Sequence, residues 1–298
     1  MPIDLTKIPK SLIEAATDGR LVLLIGSGVS RQTKSKESAI LPNWAELVEE
    51  ITHIARAQGM SAGDEALIDR LTREGKFLIA AQELKDRIPS DLFEHYIRRR
   101  FQRDLEPGRI HYSLFKLRTP LLMTTNYDLL LEAAYAQAFG MAARVATPHH
   151  PAEVFRSLKM PWTQDAPVIF KLHGTIVDPE SIVLTEHDYH RLIYRMPHYR
   201  VVLRTIFMTR IVLMLGFSFS DPDIADVVAE GKVTGAGGDF IVLPKADKVR
   251  FERRRLSMNF GVDVIEYEPS NDQHPELLEL VEYLAGFCSA RKREVSPY

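Results

Sequence analysis

The sequence predicts an α/β fold, a parallel sheet of about six strands flanked by helices. Two observations predict it. Short apolar runs without polar–apolar alternation recur along the chain, the pattern of strands covered on both faces. Stretches with helical apolar spacing separate them, so strand and helix alternate. A length of 298 residues allows one large domain, or one domain with a smaller partner.

The elements follow in chain order. Leu21–Ile25 (LVLLI) is the first buried strand. Trp44–Ala57 carries Trp44, Leu47, Val48, Ile51, Ile54 and Ala55 on one helical face. Helical patterns continue over 66–73, 77–87 and 92–101, before a second strand at 121–125 (LLMTT). The interval between these two strands far exceeds the dozen or so residues that one crossover needs. It reads as a helical insertion forming a lobe over the sheet. A helix at 129–139 continues directly from the second strand. Strands follow at 168–172 (VIFKL), Ile211–Leu215 (IVLML) and 240–243 (FIVL). Val262–Tyr267 (VDVIEY) alternates more and suits an edge or late strand. The polar tail 289–298 is expected to fray.

Composition sets limits. Lys plus Arg is 38 and Asp plus Glu 40, a net charge of −2, so no bulk basic field for nucleic acid exists. No strong direct nucleic-acid binding is expected. The single cysteine, Cys288, excludes an internal disulfide and a cysteine-based zinc site, and is expected in the core of the last helix. No uncharged apolar run reaches the roughly 18 residues of a membrane-spanning helix. Asp4, Glu14 and Asp18 interrupt the N-terminal stretch where a signal peptide would be apolar. The expectation is a cytoplasmic, mature chain.

Four polar or glycine motifs each follow a separate apolar strand. Gly26-Ser27-Gly28-Val29-Ser30 follows the first. Its glycines and helix-start amides suit a phosphate. Arg31 stands where a third glycine is usual, and a plain tight turn explains the motif equally. Thr124-Thr125-Asn126-Tyr127-Asp128 ends the second strand. Asn126 and Asp128 offer ligand contacts, or an N-cap or Asx turn opening the next helix. His173-Gly174 follows VIFKL; the imidazole is a base near neutral pH or a structural histidine. Gly216-Phe217-Ser218 follows IVLML, and Phe219-Ser220-Asp221-Pro222-Asp223 comes next. In open α/β sheets, ligands bind beyond the carboxyl ends of the strands.

In this order the motifs resemble the sirtuin family, whose pattern is GAGxS, TQNxD, HG and GTS. The resemblance spans roughly residues 21–223. GFSFSDPDI, LTEHDY (184–189) and the Ile40-Leu41-Pro42-Asn43-Trp44 segment look like the sirtuin-like domains of bacterial anti-phage defence systems. The resemblance implies a Rossmann-like NAD-binding domain over 1–298, with a helical lobe at about 45–110 and a second helical segment at about 184–210. Deacylating sirtuins carry a four-cysteine zinc module between HG and GTS. No cysteine lies between Gly174 and Gly216, so no zinc module and no metal are expected. ILPNW replaces the family's GIPDFR segment, and Thr125 replaces the glutamine of TQN.

The implied reaction is cleavage of the nicotinamide–ribose bond of NAD as substrate, through an oxocarbenium-like transition state. By family analogy, Asn126 would hold the nicotinamide ribose or the attacking water, His173 would be the base, and Asp128 would hold the carboxamide. Gly26, Ser27, Gly28 and Ser30 would cradle the phosphates, with Gly216 and Ser218 on the adenosine side. Val29, Thr125, Tyr127 and Phe217 would complete the binding surface. Without the acyl-lysine cleft, water is the default nucleophile. The resemblance also implies a homo-oligomer restrained by a separately encoded partner, a HerA-type ATPase or a short Argonaute system. Two alternatives remain: an NAD-dependent deacylase or ADP-ribosyltransferase, and a non-catalytic NAD or ADP-ribose sensor. His149, His150, His187 and His190 lack a third metal ligand. Arg98-Arg99-Arg100 with Arg103, and Arg253-Arg254-Arg255, read as solvated faces or subunit contacts, with phosphate contact to DNA held by a partner as the alternative.

Overall fold

The apolar runs pair into one sheet. The computed structural model describes residues 3–33, 41–101, 105–159, 167–219, 221–233, 238–245 and 249–295. The strands are β1 (Leu21–Ile25), β2 (Leu121–Thr124), β3 (Arg144–Ala146), β4 (Val168–Lys171), β5 (Ile211–Leu215), β6 (Asp239–Pro244) and β7 (Val262–Tyr267). Their order is β3-β4-β2-β1-β5-β6-β7, with every pair parallel. Helices cover both faces. Among the described residues the sheet has seven strands, one more than the apolar runs mark in the sequence. The strand missing from the sequence reading, β3, is three residues long at the sheet edge, with Val145 exposed, so it lacks an apolar run.

Side-chain alternation along each strand divides the sheet's apolar residues between two layers. Val22, Leu24, Met123, Phe170, Val212 and Met214 pack on one face. Leu21, Leu23, Ile25, Leu122, Ile169 and Leu213 pack on the other. Because both faces are covered, β1 is buried at every position. Cys288 lies in the second layer, as its apolar neighbours predict, with its thiol donating to the Ala16 carbonyl.

The insertion is helical, comprising Trp44–Ala57, Ala62–Arg73, Phe77–Arg87 and Ser90–Phe101. A third apolar cluster holds it together and includes Leu47, Ile51, Leu84 and Ile97. The same cluster takes in Tyr127, Ile176 and Ile182, which anchors these helices onto the loops after β2 and β4. Asn43 caps the first of them in a capping box with Glu46, which fixes where Trp44 enters.

Three sequence expectations shift. The helix after β2 starts at Leu130, separated from the strand by the polar loop 125–129. The second helical segment is two helices, Glu186–Arg195 and Pro197–Thr209, because Pro197 has no amide to continue the first and opens the second. The last helix runs to Val295, well into the tail expected to fray. No helix among the described residues is long and apolar enough to cross a membrane.

Candidate active site

From β1 the chain leaves toward β2 on one side of the sheet, and from β5 toward β6 on the other. Connections that diverge in this way open a crevice at the strands' carboxyl ends. The loops after β1 and β5 meet there at backbone distance. The Gly26 amide donates to Leu215 O at 2.9 Å and the Gly28 amide to Gly216 O at 3.0 Å. A Cβ on Gly26 would lie 2.3 Å from Gly216 O, and one on Gly216 would lie 2.5 Å from the Val29 nitrogen. Gly216 also has φ 59°, the left-handed region. The first demand on these glycines is thus loop-to-loop contact. The Gly26 and Gly28 amides, and that of Val29 (to Gly26 O at 3.1 Å), are engaged inside the protein. The crevice lining includes Gly26, Ser27 and Ser30 but not Gly28 or Val29, and the Val29 side chain is core. The anion cradle drawn from those amides is accordingly smaller than the motif suggests.

The loop after β2 is locked onto this floor. Asn126 Nδ2 donates to Gly26 O at 3.0 Å and to Ser30 Oγ at 2.7 Å. Ser30 Oγ donates onward to Asp128 Oδ2 at 2.7 Å, and Asp128 Oδ1 accepts the Leu130 amide at 3.0 Å. Asp128 is therefore both the turn residue opening the helix and part of the crevice wall. With both amide hydrogens bonded, Asn126 faces a ligand with its carbonyl oxygen and acts there as an acceptor. Beneath the loop, the fully buried Lys171 donates to the Asp128 carbonyl and pairs with Glu132 at 3.2 Å.

His173 is buried at the tip of β4, with 2% of its side chain exposed. Its Nε2 lies 3.3 Å from Asp223 Oδ2. Its Nδ1 lies 3.4 Å from the Tyr189 hydroxyl and 3.8 Å from Asp221 Oδ1. Tyr189 donates to Asp221 at 2.7 Å, and Tyr199 donates to Asp223. Burial opposes the imidazolium, but the Asp223 and Asp221 charges outweigh it and hold the histidine above its ordinary pKa. Burial pushes the Asp221 carboxyl up, while for Asp223 burial is overcome by His173 and the carboxyl is held down.

Neither aspartate was identified as a site residue from the sequence. SDPD reads there as the polar start of the helix Pro222–Val233. The left-handed backbone of Phe219, at φ 56°, precedes the aspartates, its ring packed edge-on against Phe217 and Phe260. Ser220 lies outside the described residues. His173, Asp221 and Asp223 place one ligand atom each within 4.8 Å of one another and could reach a cation together. Their bonds to each other and to two tyrosines already account for that proximity.

The crevice holds about 680 Å³, open solvent at its mouth included, within the usual range of small-molecule sites. The strand tips supply Thr125, Asn126, Tyr127, Asp128, His173, Gly216, Phe217, Ser218 and Asp221. The insertion closes the other wall with Leu47 and Phe101, preceded by Leu41, Pro42, Asn43 and Trp44. Tyr127 contributes little exposed surface, since its hydroxyl donates to Val183 O at 2.7 Å. Arg31, in the place of a third glycine, pairs with Glu46 at 3.2 Å. The remaining candidates stand apart. His149, His150, His187 and His190 are exposed. Arg100 forks onto Glu50, while Arg98 and Arg99 end the same helix and Arg103 lies outside the described residues. Arg255 pairs with Glu252.

A parallel sheet with asparagine, histidine and glycine tips around one crevice is the arrangement that the sirtuin resemblance implies, and residues 120–265 match the SIR2-like domain family. That match covers just under half of the chain. The chain resembles proteins named NAD(+) hydrolase ThsA. With that of Bacillus cereus (strain MSX-D12) it shares 29% identity over 124 residues, 42% of this chain and 25% of the relative. With that of Enterococcus faecium it shares 29% over 140 residues, 44% of this chain and 26% of the relative. Defense-associated sirtuin 2 of Bacillus subtilis is 23% identical over 222 residues, 72% of this chain and 19% of the relative. The matched region spans about a quarter of the length of the ThsA relatives. The names of these relatives refer to NAD hydrolysis and to defence.

Proposed function

We propose that this chain is an NAD+ glycohydrolase. It splits the nicotinamide–ribose bond to give nicotinamide and ADP-ribose. The observation that carries the proposal is the convergence of Asn126, His173 and the Gly26–Gly216 floor on one crevice, in a chain resembling proteins named NAD(+) hydrolase.

In this reading the dinucleotide lies across the tips of β1 and β5. Ser27 and Ser30 face its phosphates, Gly216, Phe217 and Ser218 its adenosine side, and Asp128, with Thr125 and Tyr127 beside it, its nicotinamide end. Nicotinamide leaves as a neutral molecule carrying the bond's electron pair, so it needs no acid. Charge develops on the ribose, and the Asn126 carbonyl oxygen accepts a hydrogen bond from a ribose hydroxyl or the attacking water. His173 removes the proton that water must lose. Burial of the crevice by the helical wall keeps the reacting carbon among fixed dipoles.

Residues 1–298 act as one NAD-binding domain, with the helices at about 45–110 and 184–210 as its lobe and second helical segment. In the cell it would serve as the NAD-depleting effector of an anti-phage system in the bacterial cytoplasm. It would work as a homo-oligomer held in check by a separately encoded partner, a HerA-type ATPase or a short Argonaute system.

The test is incubation with NAD+, with and without an acetylated lysine peptide, followed by chromatography of the products. Nicotinamide and ADP-ribose in equal amounts, independent of peptide, are expected. Peptide-dependent release would instead establish the deacylase, and binding without release the sensor.

A further inference from the structure

The hydrogen bonds around His173 distinguish its two ring nitrogens. Nε2 faces Asp223 Oδ2 at 3.3 Å, and a carboxylate there can only accept. That nitrogen therefore carries a proton in every charge state of the ring. On the other side, the single Tyr189 hydroxyl proton goes to Asp221 at 2.7 Å. It is not available to Nδ1, 3.4 Å away. In the neutral ring, Nδ1 thus keeps an unengaged lone pair. It lies on the side of Asp221, which itself lines the crevice. Asp223 is buried and fixed by Tyr199 from the helix Pro197–Thr209.

We propose that Asp223 is a positioning residue of the hydrolysis: by accepting Nε2–H it fixes the His173 tautomer and makes Nδ1 the nitrogen that takes the proton from water. The inference rests on the hydrolase reading above. The step balances as follows. The C1′–N1 bond breaks with its electron pair going to nicotinamide, a water oxygen bonds to C1′, and one water proton moves to Nδ1 and then to solvent. A buried carboxylate behind an imidazole orients the ring and stabilises the cation that forms, without taking the proton itself.

The titratable groups facing this pair are Asp221 beside it, Tyr189 from the helix Glu186–Arg195, Tyr199 from the next helix, and Tyr127, which senses the Asp221 charge. The tyrosines are all held above their ordinary range by burial and remain neutral at working pH. The two aspartates are therefore the charges that set the His173 proton affinity.

The test compares wild type, Asp223→Asn and Tyr199→Phe by NAD+ turnover against pH and by NMR titration of the histidine ring protons. Asp223→Asn keeps size and an acceptor but removes the charge. Its kcat is expected to fall at least about 100-fold with KM for NAD+ within about threefold, because Asp223 does not line the crevice. The His173 titration and the acid limb of its pH profile should both move to lower pH. Tyr199→Phe removes a bond to Asp223 without touching the ring, so both should keep their wild-type positions. An Asp223→Asn enzyme with wild-type kcat, or with reduced kcat and an unmoved His173 titration, overturns the positioning role. A folded wild-type chain that releases no nicotinamide overturns the hydrolase reading itself, and the role with it.

Discussion

Replacing Asn126 by alanine separates chemistry from folding more cleanly than any other change in the crevice. The substitution removes two hydrogen bonds, to Gly26 O at 3.0 Å and Ser30 Oγ at 2.7 Å. Neither partner is stranded. Gly26 O still accepts the Val29 amide at 3.1 Å, and Ser30 still donates to Asp128 at 2.7 Å. The stability loss is then that of two ordinary hydrogen bonds, about 1–3 kcal/mol. A domain with about 5–15 kcal/mol to lose stays folded. In the proposed mechanism the catalytic loss is larger, because the carbonyl oxygen assigned to the ribose or the water disappears. Removal of one such preorganised dipole lowers kcat about 100- to 1,000-fold. Nicotinamide release, measured beside a urea unfolding curve on the same preparation, reads both quantities. Turnover within about threefold of wild type in a folded Asn126→Ala protein would refute the reasoning.

Further outcomes follow from the same geometry. Activity should climb as pH rises through the raised His173 pKa, since the base must be neutral. The stability from its aspartate pairing, complete below the ordinary 6.5, should fade over the same rise, so Tm falls as kcat climbs. Burial carries Asp239 from 3.8 to about 7, so the fold favours its protonated form and loses that preference as pH rises through 7. Asp239→Asn, at the opposite end of the sheet from the crevice, should stabilise the protein by up to about 4 kcal/mol above pH 8 in urea unfolding and change nothing near pH 4. Lys171→Met leaves Glu132 as a buried charge without its cation and should cost about 3–5 kcal/mol, partly recovered by adding Glu132→Gln. Gly216→Ala combines a backbone clash 2.5 Å from the Val29 nitrogen with about 1–3 kcal/mol of left-handed strain. It should lower Tm and abolish NAD+ binding by calorimetry, whereas Gly231→Ala, with open space at its Cβ, should leave both intact.

Most of the sheet is legible in the sequence because central parallel strands are apolar at every position. Leu21–Ile25 and Ile211–Leu215 stand out with no neighbour needed to interpret them. The helices of the insertion are legible because each buries one stripe, and Trp44–Ala57 and Phe77–Arg87 have the boundaries their periodicity gives. What fails is whatever depends on partners distant in sequence. The strand Arg144–Ala146 is half exposed at an edge, and only its pairing with Val168, Ile169 and Phe170 makes it a strand. Pro197 is visible in the sequence as a break, but the apolar stripe on both sides of it reads as continuous.

The crevice divides along the same line. Asn126, His173 and the glycines are legible because each ends an apolar strand, and strand ends of a parallel sheet share one side of the molecule. The charge that sets the His173 proton affinity is not legible. Asp223 is 50 residues from it in sequence, and Tyr199 is 24 from Asp223. In sequence terms all three belong to separate elements, each with an adequate local explanation as a strand tip, a helix start or a core tyrosine. Folding brings them into one buried set of hydrogen bonds, and that juxtaposition holds His173 above its ordinary pKa and, in the proposed mechanism, defines its working nitrogen. Local pattern thus locates the site, while the reactivity of its central residue is a property of the tertiary packing behind it.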